Sequence, residues 1–404
     1  MTFKKLLFFF FILIYNTSLS QWKFIDSISI PPENYKTNFK QINDIVIKNY
    51  SHLKTKNIDL RSLFLEIEKK ISISTTKTDY FEYLQYYFSK LKNSHTHMLL
   101  NDYGINCSAR LVENRIFIDR VDSHIFTENG IKKGDEIINI DNIPVFEWLK
   151  QQKNSVNSST DEGILNAAVL FKIFSDNFKI SRVYDVKTSH GMKTVQTDLV
   201  QSANYSHLLF TNEKKATGKI LNSKTAYIEI KSMSGKVVSD FINALDTLKT
   251  YPNLIIDLRR NSGGSSSLSE KIASFLIPHA QKGCVSRKKI KPDQMAYKGS
   301  VYVLIGVQTS SAAESLALDL LESDNAILVG SPTNGDTGNS PKIFHTDFGV
   351  YFSIPTRKPA QVSFKGFPME GIGIPPHHFI KQNIEDYKNE TDTILEYTIN
   401  LIDQ

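Results

Sequence analysis

The 404-residue chain has little cysteine, little tryptophan and no large excess of charge of either sign. It has only two cysteines, Cys107 and Cys284, which are far apart in sequence. Two cysteines are too few for a framework of several disulfides or for a four-cysteine zinc site. One disulfide between them is left open. The formal net charge is +6, and no basic stripe with interleaved aromatic residues accompanies it. A nucleic-acid partner is therefore not expected.

Long apolar runs are also missing, apart from one near the amino terminus. Lys4-Lys5 precedes the almost wholly apolar residues 6–15, and Ser18-Leu19-Ser20 follows with small residues at alternate positions. The run is too short to cross a membrane, and the three-part pattern is typical of a secretory signal peptide. Cleavage after residues 1–20 would leave Gln21 first in an exported (periplasmic or secreted) chain without stable membrane insertion.

The rest of the chain divides into three stretches by its periodicity. Residues 21–100 have helical spacing of apolar residues, and residues 101–198 contain short strands, among them residues 115–121 and 136–140. From residue 199 to residue 404, strands alternate with helices, which is typical of an α/β core. One of the strands predicted there covers residues 326–330. The fold class predicted is therefore α/β, with an N-terminal helical region and a separate β-domain.

A buried strand that turns directly into a helix marks the first candidate site. The apolar residues 301–307 lead into Thr309-Ser310-Ser311-Ala312-Ala313-Glu314, where the spacing becomes helical. The amino terminus of a helix supplies unpaired N–H groups and the positive end of a dipole, and both favour an oxyanion beside the serine. Ordinary helix capping by serine is the alternative.

A second strand-to-helix turn lies upstream, where residues 254–258 lead into Arg259-Arg260-Asn261-Ser262-Gly263-Gly264. Paired glycines permit positive φ angles and let backbone N–H groups approach a ligand closely. In an open α/β sheet both turns would lie at the carboxyl ends of strands, where ligands collect. Acyl transfer needs a serine nucleophile and nearby backbone N–H donors, and these two turns would supply them. The alternative is that the glycines only form an ordinary strand-to-helix turn.

A histidine would complete this chemistry, because a serine nucleophile needs a general base at neutral pH. The segment Asn93-Ser94-His95-Thr96-His97 follows a predicted amphipathic helix over residues 79–91. His95 and His97 could instead form a metal pair, but no further ligands with suitable spacing accompany them. Neither a metal nor a cofactor is expected.

Four motifs together resemble the serine peptidase family that includes the carboxy-terminal processing (tail-specific) proteases and the tricorn core. They are Asn93-Ser94-His95-Thr96, Asp257-Leu258-Arg259-Arg260-Asn261-Ser262-Gly263-Gly264, Thr309-Ser310-Ser311-Ala312-Ala313-Glu314 and Glu370-Gly371-Ile372-Gly373-Ile374-Pro375-Pro376. The resemblance implies a ClpP/crotonase-like catalytic core that hydrolyses peptide bonds. The family's spacing to the glutamate indicates Ser311, rather than Ser310, as the nucleophile.

One departure separates two branches of this family. The processing proteases use a lysine base within a segment reading Gly-x-x-Thr-x-Gly-Lys-Gly, whereas this chain has Asp336 at the position of that lysine. A serine–lysine pair is therefore not expected there. Lys342 and Lys358 are the nearest lysines along the chain that could replace it.

The tricorn-like branch instead pairs serine with histidine, and the resemblance to it implies a role for each residue. Ser311 would attack a peptide carbonyl while His95 takes its proton. Ser94 would accept a hydrogen bond from the other imidazole nitrogen, and Glu370 would hold Ser94 and offset the imidazolium charge. The implied oxyanion hole consists of backbone N–H groups of Gly263 or Gly264 and of Ala312.

Residues 130–145 resemble part of a PDZ domain, through Gly134-Asp135-Glu136-Ile137 and the turn after it. PDZ domains bind extended peptide ends by strand addition; a purely structural β-domain is the alternative. The sequence thus predicts an exported serine endopeptidase that acts on proteins or peptides. An inactive peptide-binding protein and a hydrolase of non-peptide esters or amides are the alternatives, and the oligomeric state is open.

Overall fold

The structure, a computed structural model, describes residues 23–201, 214–336, 341–357, 366 and 370–404. The predicted signal peptide and Lys358 lie outside this set. Across these ranges, no helix is both long enough and apolar enough to cross a membrane.

The helices and strands of the described residues are numbered in chain order. The helices are α1 (Tyr35–Asn49), α2 (Leu60–Lys70), α3 (Lys77–Ser89), α4 (His124–Glu128), α5 (Val145–Gln152), α6 (Asp161–Phe171), α7 (Val237–Leu248), α8 (Ser266–Ala273), α9 (Ala312–Glu322), α10 (Ile384–Lys388) and α11 (Thr393–Asp403). The strands are β1 (His97–Met98), β2 (Tyr103–Gly104), β3 (Cys107–Val112), β4 (Arg115–Val121), β5 (Glu136–Ile140), β6 (Ile143–Pro144), β7 (Ser175–Asp176), β8 (Ser181–Thr188), β9 (Gly191–Asp198), β10 (Val200–Gln201), β11 (Ala216–Ile220), β12 (Thr225–Ile230), β13 (Asn253–Asp257), β14 (Gln281–Lys282), β15 (Lys289–Ile290), β16 (Ser300–Ile305), β17 (Ala326–Gly330), β18 (Pro341–His345), β19 (Tyr351–Pro355) and β20 (His378–Phe379).

The amino-terminal unit packs α1, α2 and α3 around an aromatic core. Helix α3 begins at a capping box, in which the side chains of Thr76 and Asp79 each accept a hydrogen bond from the other residue's backbone N–H. Phe39, Tyr80 and Tyr87 are buried between the helices. Strand β1 follows α3 and joins the hairpin of β18 and β19. The loop between α3 and β1, which contains the predicted base, is therefore fixed at both ends.

The middle unit is an antiparallel sheet with the strand order β3-β4-β5-β8-β9, and β6 pairs with β5. Its core includes α5 and α6. Strands β4 and β5 have the bounds that the sequence pattern predicts. Cys107 lies at the start of this sheet, whereas Cys284 is buried in the core unit, and both are free cysteines. The disulfide that the sequence left open is not formed.

The core unit is a six-stranded sheet with the order β11-β12-β13-β16-β17-β20, parallel except for β11. Alternate residues of a strand point to opposite faces. Leu254 and Ile256 of β13 face α7, α8 and α9, whereas Ile255 packs with residues of α11. Helices on both faces explain the almost continuous apolar strands. The predicted α/β fold class is confirmed.

The pairing of β13 with β16 brings the two predicted turns together. These strands are parallel neighbours, and Asp257 at the end of β13 pairs with Leu304 of β16. The chain segments that follow them therefore leave the sheet side by side. Arg259, in the first turn, forms ion pairs with Asp257 and with Asp392 at the start of α11. The glycine turn is thus tied to the end of β13 and to the start of α11.

A buried arginine in the middle unit supplies a test of the packing. Arg182 lies over the Trp148 ring at 4.9 Å and donates to Asp176 at 2.7 Å and to the Ile173 carbonyl at 2.9 Å. Arg182→Ala should lower the free energy of unfolding by about 3–5 kcal/mol, because a buried carboxylate and carbonyls lose their donor. Urea unfolding measures this loss. Lys187→Ala, on the exposed face of the same strand, is the control, and a loss as small as its own would contradict the interpretation.

Candidate active site

Ser311 lies where β16 turns into α9, in a backbone conformation unusual for a side-chain-bearing residue. Its φ is 54° and its ψ is −119°, in a region that costs free energy outside glycine. Neighbouring hydrogen bonds hold the turn: Thr309 Oγ1 donates to the Leu258 carbonyl at 2.8 Å, and the Ser310 N–H donates to the Asn261 carbonyl at 3.1 Å. The strain is therefore maintained by the adjacent glycine turn.

His95 reaches this serine from the amino-terminal unit. Its Nε2 lies 3.3 Å from Ser311 Oγ, although 216 residues separate them in sequence. The backbone N–H of His95 donates to Asn93 Oδ1 at 2.9 Å. The other ring nitrogen, Nδ1, is buried and has no hydrogen-bond partner among the described residues. The sequence-predicted pair is thus within hydrogen-bond distance, with one imidazole nitrogen unused.

Ser94 contributes its backbone to this site. Its N–H donates to Asp336 Oδ1 at 3.3 Å, and its carbonyl lies 3.3 Å from Nδ1 of His97. The implied bond from His95 to the Ser94 hydroxyl is not formed among the described residues. Burial, followed by the nearby His95, lowers the pKa of His97 to about 4, so that His97 is neutral at physiological pH.

Glu370 enters the site through contacts that the sequence did not indicate. Its Oε1 accepts from Asn93 Nδ2 at 3.0 Å and from Ser159 Oγ at 2.8 Å, and it lies 2.6 Å from Lys56 Nζ. Asn93 also accepts from the His95 backbone. Glu370 is therefore linked through Asn93 to the loop that contains His95.

The two glycines of the first turn differ in their hydrogen bonding. The Gly263 N–H donates to Asn261 Oδ1 at 2.9 Å, and a Cβ on Gly263 would lie 2.8 Å from Ser311 Cβ. Within the described part of the chain, the N–H groups of Gly264 and Ala312 have no acceptor. Both N–H groups are therefore free to donate to a substrate oxygen. Since the φ of Gly264 is 137°, the position also requires glycine.

Glu314 fastens the nucleophile turn to the loop after β17. Its carboxylate accepts from the Ser311 N–H at 2.8 Å, Thr333 Oγ1 at 2.6 Å, the Gly335 N–H at 2.7 Å and the Asp336 N–H at 3.0 Å. Complete burial raises the pKa of Glu314 to about 8, against the opposite influence of several of these donors. Sequence comparison uses this residue only as a spacing marker.

Asp336, at the position of the family's lysine, is fully buried as a hydrogen-bond acceptor. It accepts from the Ser94 N–H, from Ser159 Oγ and from Asn334 Nδ2 at 2.9 Å. The lysine that the structure does bring into this network is Lys56, not Lys342, which lies exposed on β18. No local sequence signal marks Lys56 or Ser159, because each comes from a loop of a different unit.

A cavity of about 580 Å³ opens beside the serine and histidine. Its walls come from all three units and combine apolar with polar groups. They include Phe88, Met98, Leu170, His95, Arg260 and Ser310. No group of three or more histidine, cysteine, aspartate or glutamate residues that could hold a metal ion is found within the described ranges.

Two family models match the chain. Residues 224–378 match peptidase family S41, and residues 111–191 match the N-terminal domain of Bacteroidetes peptidases of the S41 family. The chain belongs to peptidase family S41. The predicted family and the serine peptidase activity that it implies are confirmed, and membership implies protein or peptide substrates.

Several solved structures share the fold of this chain at low sequence identity. Mature CPAF is 14% identical over 91% of this chain and 96% of its own, with a TM-score of 0.74. The photosystem II D1 C-terminal processing protease is 14% identical over 90% and 95%, with a TM-score of 0.54. Tricorn protease is 15% identical over 93% of this chain and 37% of its own, with a TM-score of 0.53. Likeness at these identities shows the fold alone.

The four bonds of Glu314 predict that even an isosteric change is damaging. Each of its oxygens accepts two hydrogen bonds, so in Glu314→Gln the amide nitrogen would face two donors whichever way it turned. Losing two buried bonds should lower the free energy of unfolding by about 2–4 kcal/mol. Urea unfolding tests this expectation. Glu396→Gln, on the exposed side of α11, is the matched control; equal stability of the two variants would show that the network is dispensable.

Proposed function

We propose that this S41 peptidase is an endopeptidase with Ser311 as nucleophile and His95 as general base. The observation that carries the proposal is the 3.3 Å separation of His95 Nε2 and Ser311 Oγ at a strained strand-to-helix turn. A nucleophile and its base need this proximity. Ser310, the competing serine, is buried and accepts from Asn334 Nδ2 at 3.3 Å.

The reaction follows from these positions. Ser311 Oγ forms a bond to the carbonyl carbon of the peptide, while its proton passes to His95 Nε2. The tetrahedral oxyanion is stabilised by the N–H groups of Ala312 and Gly264 rather than Gly263, whose N–H already donates to Asn261. When the C–N bond breaks, His95 returns the proton to the leaving amine. A water molecule then releases the acyl group by the same route.

The unused Nδ1 of His95 must donate once the ring becomes an imidazolium. We assign the acceptor to the Ser94 hydroxyl, on the adjacent residue, because catalytic hydrogen bonds often tighten only when substrate is bound. Glu370 would offset the new positive charge from its place beside Asn93. Both residues would orient and support the base.

The cavity and the middle unit together suit an extended peptide. The cavity adjoins His95 and has apolar walls that include Phe88 and Leu170, and such walls suit the side chains of a peptide. The proposal of a PDZ-like domain is supported by the antiparallel sheet that contains β5 and β6. We propose that it docks one end of the substrate by strand addition.

The nucleophile assignment predicts which serine reacts with an active-site probe. Ser311→Ala should abolish both fluorophosphonate labelling and peptide hydrolysis, because the probe needs an activated serine. His95→Ala should lower turnover by about 10⁴–10⁶-fold, as removal of a base does in other serine proteases.

Ser310→Ala is the matched control, since it changes the neighbouring hydroxyl. It should retain labelling. A dead Ser310→Ala with an active Ser311→Ala would move the nucleophile by one residue. No labelling of the unaltered protein would favour a peptide-binding protein without turnover.

We also propose that the chain is exported, on the basis of the lysine pair and short apolar run before residue 21. The protein isolated from its native cells should begin at or near Gln21 and occur outside the cytoplasm. Amino-terminal sequencing after cell fractionation measures this; an intact Met1 segment in the membrane fraction would indicate an anchored protein instead.

A further inference from the structure

A buried lysine joins the catalytic loops of all three units. Lys56 lies in the loop between α1 and α2, and its Nζ is 2.6 Å from Glu370 Oε1 and 2.8 Å from Ser159 Oγ. It also donates to the carbonyl of Lys92, at the start of the base loop. The exposed fractions of the Lys56 and Glu370 side chains are 9% and 5%. The ammonium group therefore contacts the amino-terminal, middle and core units at one point.

These contacts exclude Lys56 as the general base. An ammonium has three N–H donors, and here three acceptors occupy them: Glu370, Ser159 and the Lys92 carbonyl. A base must lie within hydrogen-bond reach of the proton that it removes, and the nitrogen within that reach of Ser311 belongs to His95. Lys56 can affect the reaction only through the groups that it holds.

The charges around Glu370 indicate what Lys56 does. Asp336 shares the Ser159 hydroxyl with Glu370, and Glu314 lies beyond Asp336. Burial raises the pKa of Glu370, Lys56 lowers it and Asp336 raises it. Two buried carboxyl groups thus face one cation. Without the cation, the pKa of Glu370 would rise further, because the influence that lowers it would be lost.

We infer that Lys56 is a positioning residue that keeps the Glu370 carboxylate in place beside Asn93 and thereby sets the loop that presents His95. Glu370 Oε1 accepts from Asn93, and Asn93 Oδ1 accepts from the His95 backbone N–H. A displaced or protonated Glu370 loses its hold on Asn93, and the orientation of the imidazole becomes less well defined. This chain has Asp336 at the position of the processing proteases' lysine, and the lysine that contacts Glu370 is Lys56, from the loop between α1 and α2.

The inference rests on the proposed role of His95 and is tested in the full-length protein. Lys56→Met should lower kcat about 10–100-fold with little change in KM, since partners that orient a catalytic group typically contribute that much. The acid limb of its pH–rate profile should also move to higher pH, because the pKa of Glu370 rises without the cation. Lys56→Arg keeps the charge and should keep the profile of the unaltered protein.

Two further variants separate this role from general stability. Lys54→Met changes an exposed lysine of the same loop and should behave like the unaltered protein. Lys56→Met combined with Glu370→Gln removes both charges, which avoids an unpaired buried ion, and its pH profile should match that of Glu370→Gln alone. The double variant also supplies the test if Lys56→Met does not fold.

The outcomes are distinct from those of the nucleophile experiment. If the unaltered protein fails to react with a fluorophosphonate, the proposed function fails. If it reacts, but Lys56→Met keeps the kcat and the acid limb of the unaltered protein, Lys56 has no positioning role. The same conclusion follows if the acid limb of the double variant lies at a different pH from that of Glu370→Gln alone.

Discussion

The parallel pairing of β13 with β16 is the constraint on which the site depends. It places the glycine turn and the serine turn at one edge of the sheet, where Asn261 accepts from the Ser310 N–H and Gly263 packs against Ser311. The positive φ of Ser311 is tolerated because the neighbouring turn holds it. Glu314, in the serine turn, accepts hydrogen bonds from the loop after β17 and holds that loop against the turn. Asp336 is thereby placed beside Glu314.

The elements of the core could be predicted because their signals are local. The run of residues 254–258 is apolar except for Asp257, which is typical of a strand buried on both faces, and the observed β13 begins and ends one residue earlier. The same holds for β17, which has the predicted bounds. Ser311 and His95 could be proposed from motifs because each stands in a short, characteristic segment, and their proximity follows from the fold.

The contacts of Glu370 could not be predicted, because they join loops from three units. Lys56 and Ser159 belong to no motif, and their separation from Glu370 in sequence does not indicate that their side chains are in contact with it. The sequence also could not indicate which of Gly263 and Gly264 has a free N–H group, because this depends on the position of the Asn261 side chain. Periodicity locates elements, but it does not show which side chains of distant loops share a hydrogen bond.

Replacing the family's lysine by Asp336 exchanges a positive for a negative charge in a buried place. Glu314 and Glu370 lie in the same network, and burial raises the pKa of each. Ionising Glu314, Asp336 and Glu370 together, with Lys56 as their cation, costs free energy, because unpaired buried charges are unfavourable. Backbone N–H groups and hydroxyls stabilise part of this charge, and Lys56 neutralises another part at Glu370. A histidine base suits such surroundings, because nearby negative charge favours the imidazolium that forms during the reaction, whereas a lysine base must lose its charge before it can act.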